Sequence, residues 1–488
     1  MRKLQRRYLI PLALVFAAVP WARALTAPAI PDTDEAMSHV LNRLAFGPRA
    51  ADLDAVKRIG LAAWIDQQLH PERISDAALH ARLERLTTIG LPPEAIAKDY
   101  VAPARQERRR RQQQNSADTS VRPDPPSGMR EPPSETMRRA RQVFSDLVEA
   151  KILRAVYSER QLEAVLVDFW FNHFNVFARK GQTEIYIAEF EREAIRPHVF
   201  GTFRELLAAT AKSPAMLFFL DNWLSVDPKA VTSRGRQGAA AGQGRARGLN
   251  ENYARELLEL HTLGVDGGYT QKDVIEVARA FTGWTIGRPQ NPGFRFANAM
   301  HDRGEKRLLG HVIVAGGGID DGERVLDIVA NHPATARHIA YKLAQRLISD
   351  EPPQAVVDRA AARFQETNGD LRQVVRTIVT SAEFSSPKHY RAKVKTPFEF
   401  VVSAIRVTGA EVSSAVAIAR ALAMMGMPLY LCQPPTGYAE TADAWVSSGS
   451  LVNRINFAVE LSANRLRGVR LSAPRTAIDI GAAEFQRQ

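Results

Sequence analysis

Residues 249–265, LNENYARELLELHTLGV, concentrate more chemistry than any other stretch of the chain: three carboxylates (Glu251, Glu256, Glu259), two amides (Asn250, Asn252), Arg255, Tyr253 and His261. On a helix, positions three and four apart share a face. Glu251, Arg255, Glu259 and Thr262 then form a polar stripe, and Tyr253, Leu257, Leu260 and His261 an apolar one that turns the imidazole inward. Asn250 or Asn252 can cap the start and Gly264 stops the end, so part of this polarity has a structural explanation. A second candidate is His173 in DFWFNHF, which shares the interior face of its helix with Val165, Leu166, Phe169 and Trp170. A buried imidazole needs a carbonyl, a carboxylate or a metal as partner. The third is MHDRGEK, residues 300–306, where His301, Asp302 and Lys306 sit on an expected turn, ordinary Asp-x-Gly turn chemistry that can also present reactive groups.

If His173, His261 and His301 converge with Glu256 or Asp302, they make a nitrogen- and oxygen-ligated site for a divalent metal with a position open for water. Glu256 or Glu259 would serve there as general base, with Asn250, Asn252, Arg255, Trp284 and Lys306 as further candidates. The bland alternative is a capped, ion-paired helix and hydrogen-bonded core histidines. HExxH, GxSxG, Walker, CxxC and EF-hand patterns are all absent.

The elements that must position these groups are mainly helical. From Asp34 to His70 short helical patterns stop at Gly47 and Gly60. Ser158 and Gln161 have the spacing of a capping box for the helix carrying His173. Residues 25–100 read as an N-terminal helical region and 140–470 as the main helical domain, with a β-hairpin over 291–314 turning at Asp302–Gly304 and a C-terminal tail over 471–488. Two stretches poor in large apolar residues, 101–139 (basic and Pro-rich) and 228–248 (Gly/Arg-rich), read as flexible insertions.

The chain has 488 residues, 45% of them hydrophobic, enough for a large core. Residues 1–24 have a basic start, an apolar run from Tyr8 to Val19 and an Ala-x-Ala end at Ala24, the pattern of an export signal. The Arg6-Arg7 pair leaves the general secretory and twin-arginine routes both open. The apolar run is shorter than the roughly 20 residues of a spanning helix, and no later run is long enough. A single cysteine, Cys432, excludes an internal disulfide, so a periplasmic or secreted chain must rely on packing. The formal charge of +12 resides in the signal and the two insertions, which argues against a dedicated nucleic-acid groove.

The stretches LNENYARELLELHTLGVDGGYTQKDV, ARAFTGWT, DFWFNHF and KVKTPFEFV, in this order of content, resemble the bacterial family catalogued as domain of unknown function 1800. The resemblance runs from about Ala36 to Arg467 and includes QPPTGYAETADAWVSSGSLVNR, whose Gly437 and Trp445 match a Pro-Pro-x-x-Gly segment and a following Trp. It implies export, and a gene often placed beside a second exported family resembling sulfatases and phosphatases; it assigns no reaction or ligand. Two functions stay open: an exported metal- or carboxylate-dependent enzyme acting on an extracytoplasmic polymer or sugar-type substrate, or a non-catalytic partner or scaffold for another exported, sulfatase-like protein.

Overall fold

The computed structural model describes residues 32–117, 133–233, 248–288 and 291–471; the expected signal and C-terminal tail lie outside them, apart from Leu471. The described chain is mainly helical, with only short two-stranded antiparallel sheets. Its first helices, Asp34–Leu44, Ala50–Ile59 and Leu61–Gln68, break at Gly47 and Gly60, where φ is 99° and 81°. Glycine takes this left-handed backbone without a Cβ clash, which is why the stops were readable. Among the described residues no helix is long and apolar enough to cross a membrane.

Parts of both stretches expected to be flexible are helical. Residues Ala102–Ala117 form a helix that continues directly from the helical stretch beginning at Pro93, so its Arg, Gln and Glu residues extend an existing helix and bear no nucleation cost. Glu107 ties it down: it pairs with Arg111 at 2.8 Å and accepts a 2.8 Å hydrogen bond from Ser134, the N-cap of the helix Glu135–Tyr157. Residues 118–132 lie outside the described residues. Pro228–Ser233 is likewise helical, and 234–247 lie outside.

The single hairpin expected over 291–314 is replaced by two. Strand Trp284–Ile286 pairs with Phe294–Phe296, and Lys306–Leu308 with His311–Ile313. The second turns at Leu309-Gly310, both at positive φ (49° and 80°), as a two-residue type I′ turn requires. Asp302–Gly304 does not reverse the chain: the Asp302 carboxylate accepts from Gly304 N and from Arg279, which fixes the segment as a local Asx turn. Ser158 and Gln161 form no capping box either. Ser158 ends the preceding helix and accepts from Arg160 N, while the Gln161 amide reaches back to the Ser158 carbonyl.

The ends of the described chain are stitched together. Arg406, fully buried on the helix Pro397–Thr408, donates to the Gly47 carbonyl and pairs with Asp52 at 2.7 Å. His39 Nε2 donates to the Phe384 carbonyl, and Arg43 to the Arg346 carbonyl. The N-terminal helices therefore complete the core of the main helical body.

Candidate functional site

The 249–265 stretch is a helix of two kinds. Asn250 caps it, its side chain accepting from Asn252 N at 2.8 Å, and both amides reach the Leu220 carbonyl. Glu251–Glu256 is α-helical, but Leu257–Thr262 widens into a π-turn, with Leu263 N donating to Leu258 O and Thr262 Oγ1 to Leu257 O. The extra residue per turn rotates the face, so Thr262 is buried instead of ending the polar stripe. Arg255 bonds Gln271 and lies 3.8 Å from Glu251, and Glu259 accepts from the Tyr269 hydroxyl. Glu256 makes no hydrogen bond or ion pair among the described residues; burial, then the Glu259 carboxylate, pushes its carboxyl up.

His173 and His261 do come together, with ring centroids 6.2 Å apart, and His173 Nε2 donates to the His261 carbonyl. His338 joins them, 6.1 Å from the His173 ring, its Nε2 donating to the Leu260 carbonyl within the π-turn. Burial lowers all three imidazoles, His261 to about 3, His338 to about 4 and His173 well below its ordinary value, with each other's proximity adding to the effect on His173. They are neutral at neutral pH. His261 Nε2 is buried without a partner among the described residues.

His301 belongs elsewhere. Its Nδ1 donates to the Thr282 carbonyl and its Nε2 lies 3.1 Å from Asp321. Lys306, fully buried, donates to Asp321 at 2.6 Å and to the carbonyls of Asp302 and Gly304. Asp302 is bound by Arg279, and Trp284 is core, packed under Gly322. This triad saturates its own donors and acceptors and braces the two hairpins. Among the described residues no three His, Cys, Asp or Glu side chains are placed to hold a metal ion, so the expected set His173, His261 and His301 is divided between two clusters.

A third cluster escaped the sequence reading. On the opposite face of the His173 helix, Gln161–His173, Asp168 pairs with Lys151 at 2.8 Å. The Lys151 ammonium lies between 5.2 and 5.6 Å from the rings of Phe171, Phe398 and Tyr430. Arg346, on the helix Pro333–Leu347, pairs through Nη1 with Glu399 at 2.8 Å and Glu440 at 3.4 Å. Its Nη2 stands 3.7 Å from Asp168 and has no hydrogen-bond partner among the described residues, although the side chain is only 2% exposed. Burial would raise the Glu399 carboxyl; Arg346 and Arg43 outweigh it and hold it at about 2.

The segment 427–442 covers this cluster and is clamped to it. Asn172 reads the Tyr438 backbone like a neighbouring strand, donating to its carbonyl and accepting from its N–H, while Asn175 donates to the carbonyls of Cys432 and Pro434. Gly437 (φ 73°) lies so close that an added Cβ would sit 2.3 Å from the Asn172 carbonyl oxygen. Tyr430 holds a positive φ of 61°, a strained backbone for a bulky residue, with its hydroxyl 2.6 Å from Glu191. Between these groups lies a cleft of about 30 Å³, lined among others by Lys151, Asp168, Arg346, Tyr430, Tyr438 and Glu440. It holds roughly one or two waters. The available signal was a charge within a largely apolar stretch: Lys151 in LVEAKILRAV beside Glu149 and Arg154, Arg346 in KLAQRLIS beside Lys342, and Glu399 alone in PFEFVV.

The cleft draws together residues of DFWFNHF, KVKTPFEFV and QPPTGYAE, separated by more than two hundred positions. The family model described as "Protein of unknown function (DUF1800)" matches residues 39–486, nearly the whole chain. No curated protein and no solved structure matches it. The chain thus belongs to the DUF1800 family of proteins of unknown function, with the clefted helical body as its architecture.

Proposed function

We propose that the protein is exported by way of residues 1–24 and acts outside the cytoplasm as a carboxylate-based enzyme on a hydroxyl-rich, sugar-type polymer, through the cleft around Arg346. The observation that carries this reading is the Arg346 Nη2, which has no hydrogen-bond partner among the described residues and is buried 3.7 Å from Asp168 in a cleft that the strained Tyr430 also lines. A buried guanidinium donor is costly to leave unmade, and strain of this kind concentrates at functional sites. A substrate hydroxyl supplies the missing acceptor and donates in turn to a carboxylate. Asp168, fixed by Lys151, orients the group; Glu440, whose contacts with Arg346 and Asn172 are both long at 3.4 Å, is free to turn and exchange the proton. The small volume admits no more than a single hydroxyl-bearing group of the substrate, so the sugar ring itself stays outside the cleft.

The test is a panel of extracytoplasmic polysaccharides and oligosaccharides, with products followed by mass spectrometry and binding by calorimetry. Glu440→Gln keeps binding and loses turnover by about a hundredfold or more. Full turnover by this variant removes Glu440 from the chemistry; a wild-type protein that neither binds nor cleaves any member removes the sugar-type substrate.

A further inference from the structure

Lys306 opens the strand Lys306–Leu308, and Asp321 lies in the first turn of the helix Ile319–Ala330. The pair is sealed on both sides: its side chains are 0% and 3% exposed, against 10% and 13% for Lys151 and Asp168. Lys306 Nζ has three acceptors in place, the carbonyls of Asp302 and Gly304 and, at 2.6 Å, Oδ2 of Asp321. A carbonyl can only accept, so these two hold two of the nitrogen's hydrogens. The third can pass to Asp321. That transfer removes two charges from a site where burying them is costly, and it leaves the freed lone pair directed at the carboxyl group. Cγ lies one bond beyond Oδ2, within about 4 Å of Nζ.

His301 completes the arrangement. Its Nδ1 faces the Thr282 carbonyl at 2.8 Å and so carries a hydrogen, which leaves Nε2 of a neutral ring with a lone pair. Nε2 stands 3.1 Å from Asp321 Oδ2, a contact between two acceptors that needs a proton between them. Water is kept away on the other sides: the Phe296 ring lies 5.3 Å from the imidazole, and Gly317 passes so close over Oδ1 that no Cβ would fit there.

We propose that Lys306 and Asp321 condense into a side-chain amide, a covalent staple between the second hairpin and the helix that follows it. The neutral amine attacks Cγ, forming the Nζ–Cγ bond. His301 takes one of the two remaining protons from nitrogen and hands it to Oδ2, which already holds the first; the Cγ–Oδ2 bond breaks and Oδ2 leaves as water. The amide keeps the last hydrogen, and the step needs no oxidant, cofactor or activated group. Reacting groups held in contact behave as though at concentrations far above any in solution, which drives a condensation that free amines and acids do not undergo. With one cysteine the chain can form no internal disulfide, so this bond would be its internal cross-link.

Intact-protein mass spectrometry of the purified protein tests the bond. The wild type is lighter than its sequence by one water, and Lys306→Arg, which keeps the charge, has its full mass. Trypsin releases residues 304–307 and 308–324 as one branched fragment with two amino termini, Gly304 and Leu308, because Arg307 is cut and Lys306 is not. A folded wild type of full mass overturns the proposal. So does a water loss that persists in Lys306→Arg, since Asp321 precedes Gly322 and can close on its own backbone as a succinimide. Should arginine not fit the buried site, the wild-type fragment decides alone: a linear peptide with a single amino terminus overturns the bond. His301→Gln leaves most folded molecules at full mass; cross-linking at the wild-type level removes His301 from the proton transfer. The outcome is independent of whether the cleft is catalytic.

Discussion

Acidification to about pH 5 destabilises the protein through its buried imidazoles. His39 and His261 are 5% and 2% exposed, and burial lowers them from 6.5 to about 4 and about 3, with Arg43 adding to the effect on His39 and His338 to that on His261. At about pH 5 both are still neutral in the folded chain, whereas in the unfolded chain they are protonated. The unfolded state then binds more protons, so stability falls as pH falls. At pH 5, one and a half units below the ordinary imidazole value, each group withdraws about 2 kcal/mol. Together that is about 4 kcal/mol, and His173 adds to it, against a net stability of roughly 5–15 kcal/mol for a folded domain. The carboxylates Glu191 and Glu399, held at about 2 by arginines that outweigh their burial, lose their contribution only as pH falls below about 4.5. Between pH 6.5 and 4.5 the histidines thus act without these two carboxylates, while Glu163, Glu189 and Glu256, whose carboxyls burial pushes up, oppose part of the loss. Urea unfolding between pH 7.5 and 5 measures it, beside His261→Gln, which should recover about 2 kcal/mol of the loss at pH 5. An unchanged midpoint across that interval, or a variant with the parent's pH dependence, refutes the reasoning.

Gly437→Ala sets a side chain against the Asn172 carbonyl and forces a positive φ on alanine, so it should cost about 2 kcal/mol or more and expose 427–442 to limited proteolysis; an unaltered melting curve and digestion pattern contradict the clamp. Elemental mass spectrometry should find no near-stoichiometric transition metal that His261→Ala removes; such a metal, lost in a variant that still folds, would mean that the histidines rearrange into a ligand set not formed here.

The legible parts of this molecule are those decided locally. The glycine stops at Gly47 and Gly60, the Asn250 cap and the inward turn of His173 and His261 each depend on one residue's own conformational or solvation preference. The π-turn was illegible because a distant group accompanies it: His338 comes so close to Gly264 that an added Cβ would sit 2.9 Å from its Nδ1. His301 could be recognised as chemically loaded, but its partner Asp321 arrives through tertiary packing. The cleft was visible only as charges within largely apolar stretches. Their pairing brings Asp168, Arg346, Glu399 and Glu440 from four separate segments, and spacing carries no information about such encounters.

The stitching of the chain's ends governs the order in which it can mature. Asp52 waits for Arg406, 354 positions later, and His39 for the Phe384 carbonyl. At about 5–20 residues per second, synthesis leaves the first helices without these partners for on the order of 20–70 s. The helix Gln161–His173 can cover part of their surface early, but the part that meets residues 384–406 stays open for that time, a window for capture by a holding chaperone, and fragments lacking the last quarter of the chain keep that part open permanently.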